Sequence, residues 1–91
     1  MISENMKVIK CGKLKWREEY DFYTLYNFNT DDLFRVPKAA IDILEYVDGN
    51  NTAKQIIDNV IEKNGYSNEV YQKLFEYMKL LEKKEIIKMV E

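Results

Sequence analysis

The sequence predicts an α+β domain in which a three-stranded antiparallel sheet is followed by three helices. Polar and apolar side chains alternate with a period of two before Pro37, and apolar side chains recur every three or four positions after it. The chain has 91 residues, 46% of them hydrophobic and 33% charged, with three Gly and one Pro. This length and composition are typical of one folded domain, which we expect to span residues 1–91.

The three predicted strands lie in the first part of the chain. In the first strand, the apolar residues Leu14 and Trp16 alternate with basic residues. The second strand covers the aromatic-rich residues 22–28, and the third covers residues 33–36. Polar turns separate the strands, at residues 18–21 and 29–32. Such short connections favour an antiparallel meander.

Pro37 marks the predicted start of the first helix, because its fixed dihedral and missing amide hydrogen are tolerated in a first helical turn but not in a central strand. About three turns of apolar positions follow at helical spacing: Ala40, Ile41, Leu44 and Val47. The Asp48-Gly49 pair is the stop signal.

Capping patterns define the other two helices. Thr52 and Gln55 match a capping box at the start of the second helix, and Gly65 predicts its end. Ser67 is a candidate N-cap for the third helix, which we expect to extend to about Lys84. We expect a short apolar tail to dock back on the domain: Ile86, Ile87, Met89 and Val90.

The third helix carries two apolar stripes. The first, which we assign to the core, contains Val70, Leu74, Tyr77 and Leu81. The second lies on an adjoining flank and contains Tyr71, Phe75 and Met78. Two interpretations of the second stripe stay open: a wider core face, or one wall of an apolar groove that receives a ligand.

The predicted sheet offers a second binding feature. In a meander, an outer strand presents unpaired backbone amide and carbonyl groups. An extended peptide can add to such an edge, with its alternate side chains entering a neighbouring groove.

Composition argues against several function classes. Fourteen Lys and Arg against sixteen Asp and Glu give a formal charge of −2, spread along the chain, which argues against a nucleic-acid partner. The chain has no His, and Cys11 is its only cysteine. Catalytic triads and His/Cys metal sites are thereby excluded, and no glycine-rich phosphate loop occurs. We predict a protein that is not an enzyme, with no catalytic residues, metal or cofactor.

The expected location is the cytoplasm. A single cysteine cannot form an internal disulfide, which suits a reducing compartment. The sequence contains no apolar run of membrane-spanning length and no signal peptide pattern, so we expect no membrane partner.

The residues around the first helix resemble a known family. The segment 36–49, from Val36-Pro37 to Asp48-Gly49, is followed by Thr52 and the Ile56-Ile57 pair. This pattern is similar to the PqqD-like family, the precursor-peptide recognition elements of ribosomal peptide natural-product pathways. The resemblance spans roughly residues 13–90 and continues through Leu74, Tyr77, Met78, Leu81 and Ile86-Ile87. In two places the chain departs from the family: Pro37 stands where Asn is commoner, and Glu85 where Gly is frequent.

The resemblance implies a winged helix-turn-helix-like fold and a binding function. Family members bind the leader region of a precursor peptide as an added strand between the third strand and the third helix, and present it to a separate modifying enzyme. The implied partners are radical SAM maturases and, in lasso-peptide pathways, a leader peptidase. This chain lacks the three-cysteine motif of a radical SAM enzyme, so that chemistry would lie in another polypeptide.

Transferred to this sequence, the resemblance gives a set of peptide-binding candidates. The sheet edge would be formed by Leu33, Phe34, Arg35 and Val36. The groove would be lined by Tyr71, Phe75 and Met78, with Lys79 and Glu82 at its rim. Because Phe34 and Val36 share one strand face and suit the core, Leu33 and Arg35 are the better candidates for side-chain contact.

Three other functions stay open. A winged helix-turn-helix is also a DNA-binding fold, but the third helix mixes Lys with Glu and presents Tyr and Phe where base-reading polar groups are expected. A small enzyme that uses carboxylates is a second rival. A structural subunit of a larger complex is the third, because surplus apolar surface also suits a protein interface.

Overall fold

The structure is a computed structural model that describes residues 4–90. Residues 1–3 and 91, the two ends of the predicted domain, lie outside the described residues. The elements in chain order are β1 (Lys7–Lys10), β2 (Leu14–Glu18), β3 (Tyr23–Asn27), β4 (Asp32–Val36), α1 (Lys38–Leu44), α2 (Ala53–Asn64), α3 (Tyr71–Lys83) and β5 (Ile87–Val90). A short 3-10 turn, Asn68–Val70, leads directly into α3.

The predicted three-stranded antiparallel sheet is confirmed, with the strand order β2-β3-β4. Its register places Trp16 opposite Leu25, and Leu25 opposite Phe34. The Leu25 side chain is fully buried, whereas the two outer members of this row are partly buried against the same core. One face of the sheet therefore covers the core, and the combination of this sheet with three α-helices is that of an α+β protein.

A second sheet of two strands is not predicted by the sequence pattern. β1 pairs antiparallel with β5, so that Val8 lies opposite Met89. The apolar tail docks on the domain as expected, with Ile86 and Ile87 buried, but it does so as a strand. The expectation that all strands precede the helices is therefore wrong, because β5 follows α3.

The first helix is shorter than predicted. Pro37 is its N-cap, and the helix ends at Leu44 after seven residues. The next two residues continue in tighter turns, in which the Val47 amide donates to the Leu44 carbonyl at 3.2 Å. Val47 still reaches the core. The apolar spacing thus identified the buried positions but not the end of the helix.

The capping box of α2 is confirmed. The Thr52 hydroxyl accepts from the Gln55 amide at 3.2 Å, and the Gln55 side-chain oxygen accepts from the Thr52 amide at 2.8 Å. Gly65 closes the helix in a left-handed conformation, with φ of 67°. Ser67 caps the short 3-10 turn rather than α3 itself, accepting from the Glu69 amide at 3.2 Å.

The core is one continuous cluster to which both sheets and all three helices contribute. Within the described part of the chain, no helix is long and apolar enough to cross a membrane. Representative side chains with no exposed surface are Val8, Leu25, Ile43, Ile56 and Met78.

Glu85 closes α3 in a backbone conformation that favours glycine. Its φ is 62°, and the Ile86 amide donates to the Leu81 carbonyl at 3.0 Å across the turn. We expect Glu85→Gly to raise the free energy of unfolding by about 0.5–1 kcal/mol, because the left-handed region costs an L-residue about 1–2 kcal/mol and the unfolded-state entropy of Gly offsets part of this gain.

Urea denaturation measures the effect of Glu85→Gly. Lys83→Gly, at the last helical residue, is the matched control and should instead lower stability, by up to about 1 kcal/mol. A loss of stability in both variants would contradict the role assigned to Glu85.

Candidate functional site

β4 is an outer strand of the three-stranded sheet, and its side chains alternate between two environments. Val36 is buried and Phe34 is partly buried against the core, as their shared strand face predicts. Leu33 is 66% exposed, and Arg35 is also exposed. β4 therefore offers an open side with one apolar and one cationic side chain pointing away from the core.

Arg35 is held in place on this strand. Its guanidinium carbon lies 3.9 Å from the centroid of the Phe22 ring, which precedes β3. A guanidinium over an aromatic face is attracted by the ring quadrupole. The N–H groups at the edge of the guanidinium remain able to form hydrogen bonds. Arg35 is thus a positioned cation beside the β4 edge.

The side chain of Lys84, the residue directly after α3, reaches Phe34 on β4. The Lys84 ammonium group is 5.7 Å from the centroid of the Phe34 ring. A cation at the end of α3 therefore lies over the Phe34 ring. This contact connects the end of α3 to the outer strand.

The second apolar stripe of α3 divides between different environments. Met78 is fully buried, so its side chain belongs to the core and does not line an open groove. Tyr71 is partly buried, and the Lys54 ammonium lies 5.8 Å from its ring centroid. Burial, followed by the nearby Glu4 carboxylate, raises the pKa of Tyr71. Its neighbours therefore belong to α2 and to the segment before β1.

The remaining candidates on α3 lie near one another on the same flank. Phe75 is partly buried, with the Lys79 ammonium 5.2 Å from its ring centroid. Lys79 also pairs with Glu76 at 3.4 Å. Glu82 lines a cavity of about 490 Å³ whose wall includes Cys11.

Helix geometry shows which side of α3 extends toward β4. At about 100° per residue, Tyr77 projects within about 20° of Lys84, whereas Tyr71 and Phe75 project about 140° and 180° away from it. The contact of Lys84 with Phe34 thus lies on the side of α3 that carries Tyr77. Glu82, on the predicted flank, instead shares a cavity with Asn29 and Thr30 of the β3–β4 turn. The cations over the Tyr71 and Phe75 rings are those of Lys54 and Lys79, not of β4.

Tyr77, which the sequence assigns to the core stripe, and Leu80 lie on the same side of α3 as Lys84. Tyr77 is partly buried, and burial raises its pKa, while Leu80 is 41% exposed. Together with Lys73 they contribute to a shallow cavity of about 470 Å³ on the surface of α3. The sequence indicates that Tyr77 and Lys84 lie on one side of the helix, because they are seven residues, or about two helical turns, apart. We call Leu33, Phe34, Arg35, Tyr77, Leu80 and Lys84 the β4–α3 surface.

Cys11 lies apart from the β4–α3 surface. Cys11 is in the β1–β2 turn, next to the start of β5, and its thiol is free and partly buried. Burial raises the pKa of Cys11, opposed by the nearby Lys88 ammonium. A raised pKa reduces the thiolate fraction at neutral pH and with it the reactivity. Among residues 4–90, no group of three or more His, Cys, Asp or Glu side chains is arranged to hold a metal ion.

The fold and this surface define an α+β domain with an open sheet edge flanked by a helix. Comparison of the chain with protein-family models, curated proteins and solved structures finds no match. The PqqD-like resemblance therefore rests on the residues quoted for it and stays a prediction.

Proposed function

We propose that the chain is a peptide-recognition domain of the PqqD-like, winged helix-turn-helix type. It binds the leader region of a ribosomally made precursor peptide as a strand added to β4, and presents the peptide to a separate modifying enzyme. The observation that supports this most strongly is the pairing of an outer strand, with Leu33 and Arg35 exposed, and a helix end that reaches Phe34. Strand addition requires these two parts, an open edge and a flanking wall.

The alternation of β4 divides the contacts of such a peptide between two faces. Backbone hydrogen bonds to β4 supply affinity without regard to peptide sequence. Peptide side chains on the inner face meet Phe34 and Tyr77, which favours apolar residues there. Those on the outer face lie beside Leu33 and Arg35, which favours an apolar residue and a carboxylate two positions apart.

The chemistry in this proposal belongs to the partner enzyme. The chain has no His, and its single thiol has a raised pKa, so it supplies no activated nucleophile. A bound leader peptide instead raises the effective concentration of substrate at the enzyme. A radical SAM maturase or a leader peptidase, acting in the cytoplasm, fits this arrangement.

The proposal is tested by titrating the protein into the labelled leader region of the precursor encoded beside it. Fluorescence anisotropy should show that Arg35→Ala and Tyr77→Ala each weaken binding by about tenfold, as expected for anchor residues at a small interface. Tyr20→Ala is the matched control, because Tyr20 is 96% exposed in the β2–β3 turn. That variant and Cys11→Ser should bind like the unmodified protein.

Three results would contradict the assignment. Equal affinity of Arg35→Ala, Tyr77→Ala and the unmodified protein would remove the β4–α3 surface from the proposal. A stronger loss from Tyr71→Ala or Phe75→Ala would return the site to the flank that the sequence predicted. A salt-sensitive complex with duplex DNA, in the absence of peptide binding, would favour the DNA-binding alternative.

A further inference from the structure

The face of the three-stranded sheet that points away from the core carries a second surface, which overlaps the first at β4. The outward positions of the strands alternate with the core-facing row of Trp16, Leu25 and Phe34. Phe28, which directly follows β3, continues the same alternation. We call this surface the outer sheet face and define it by Lys15, Arg17, Tyr26, Phe28, Leu33 and Arg35.

The centre of the outer sheet face is apolar and open. Leu33 is 66% exposed and Phe28 is 50% exposed, an unusual exposure for two large apolar side chains so close together. The Tyr26 and Phe28 rings meet edge to face, with centroids 4.6 Å apart. Tyr26, Phe28 and Leu33 contribute to a surface depression of about 540 Å³. The outer sheet face thus has a preformed apolar centre.

The margins of this face are cationic. On β2, Lys15 lies opposite Tyr26 of β3, and Arg17 lies opposite Thr24 of β3. On the other side of β3, Thr24 lies opposite Arg35 of β4. No Asp or Glu occupies an outward position of β2, β3 or β4. The chain as a whole carries a formal charge of −2, so these cations are a local excess on an acidic protein.

Two carboxylates next to this face neutralise part of its positive charge. Asp31, just before β4, accepts a hydrogen bond from the Tyr26 hydroxyl. Glu19, just beyond β2, accepts from the Arg17 guanidinium at 2.7 Å and from the Thr24 hydroxyl at 2.8 Å. Hydrogen bonds from Arg17 and then Thr24 lower the pKa of Glu19, so it stays ionised at neutral pH. Arg17 nevertheless keeps an exposed side chain, and Lys15 and Arg35 face no acidic partner across the strands.

The dimensions of the outer sheet face suit a helix. Two strand spacings separate β2 from β4, about 10 Å, which matches the diameter of an α-helix with its side chains. A five-residue strand is about 17 Å long, the length of about eleven helical residues. The cations are unevenly placed, with Lys15 and Arg17 on the β2 margin and Arg35 on the β4 margin. A helix seated here would meet more positive charge on its β2 side.

We propose that the outer sheet face docks an acidic amphipathic helix of a partner protein. The apolar stripe of that helix packs on Tyr26, Phe28 and Leu33, and its Asp and Glu side chains lie along the β2 margin. The sign of the margins selects an acidic helix over a basic one. The two surfaces share Leu33 and Arg35 on β4, but Lys15 and Arg17 on β2 and Tyr26 on β3 belong to the outer sheet face alone.

Single-stranded nucleic acid fits this surface less well. Stacking of bases needs open aromatic faces, but the Phe22 ring is covered by Arg35 at 3.9 Å. The Phe28 ring has the Lys13 ammonium 5.8 Å from its centroid and packs edge to face with the Tyr26 ring.

The test uses two synthetic peptides of about 14 residues that share one helical leucine stripe. One carries Glu at all other positions and the other carries Lys. Titrated into isotope-labelled protein, the Glu peptide should bind at least about tenfold more tightly than the Lys peptide at low salt, and lose this preference as salt is added. Amide shifts should centre on Lys15, Arg17, Tyr26 and Leu33.

Charge-reversal variants locate the site. Lys15→Glu combined with Arg17→Glu should weaken binding of the Glu peptide by at least about tenfold. Lys63→Glu combined with Lys83→Glu makes the same charge change at the ends of α2 and α3, and should alter the affinity by less than about threefold. Because Lys15 and Arg17 lie on β2, leader binding at β4 should persist in the first variant, which separates this proposal from the previous one.

Each other outcome overturns the proposal. The proposal is wrong if the two peptides bind equally or if neither binds. It is also wrong if the amide shifts are confined to another face, or if the control variant loses as much affinity for the Glu peptide as the β2 variant. A short oligo-dT strand that shifts the same amides and binds more tightly than the Glu peptide would assign the face to nucleic acid instead.

Discussion

Removal of residues 86–91 is expected to abolish cooperative folding. Ile86, Ile87 and Met89 are buried, and β5 is the hydrogen-bonding partner of β1. Loss of one buried Ile or Met side chain costs about 2–5 kcal/mol, and three such losses approach or exceed the whole stability of a small domain, about 5–15 kcal/mol. The truncation also exposes Val8, which packs in the same core.

Circular dichroism during heating tests the truncated chain, and single substitutions give the graded version. Ile87→Ala should lower the free energy of unfolding by about 2–5 kcal/mol. Lys88→Ala, the next residue on the exposed side of β5, is the matched control and should change it by less than about 0.5 kcal/mol. A truncated chain that still unfolds in one sharp transition would contradict the structural role of β5.

Met78→Ala is the second change with a large expected effect. The side chain is fully buried, so its loss leaves a cavity and should cost about 2–5 kcal/mol. Phe75 is larger but only partly buried, so Phe75→Ala should cost less, about 1–2 kcal/mol. Urea denaturation measures both. A smaller loss for Met78→Ala than for Phe75→Ala would show that Met78 lines a groove and Phe75 the core.

Local signals in the sequence were sufficient for the meander and the start of α2. The alternation around Leu14 and Trp16 predicts β2, and Thr52 with Gln55 predicts the capping box. These features depend on residues a few positions apart. The pairing of β1 with β5 joins the two ends of the described chain, for example Val8 with Met89. Two four-residue strands so far apart carry no turn or alternation long enough to reveal their pairing.

The exposure pattern of β4 was predictable from the sequence, but the surroundings of the α3 candidates were not. Side chains alternate between the two faces of a strand, so the sequence alone places Leu33 and Arg35 on the face opposite to Phe34. On α3, both flanks of the core stripe carry aromatic residues, so periodicity alone does not distinguish the flank beside β4 from the flank beside α2. The positions of Lys84 over Phe34 and of Lys54 near Tyr71 depend on the packing of α3 against the rest of the fold.

Amide hydrogen exchange with and without the leader peptide tests strand addition to β4 most directly. The amides of Asp32–Val36 that point away from β3 should exchange more slowly in the complex, because an added strand accepts their hydrogen bonds. The other outer strand, Leu14–Glu18, is the internal control and should keep its exchange rate. Binding that leaves β4 exchange unchanged, or that protects Leu14–Glu18 instead, would contradict the account.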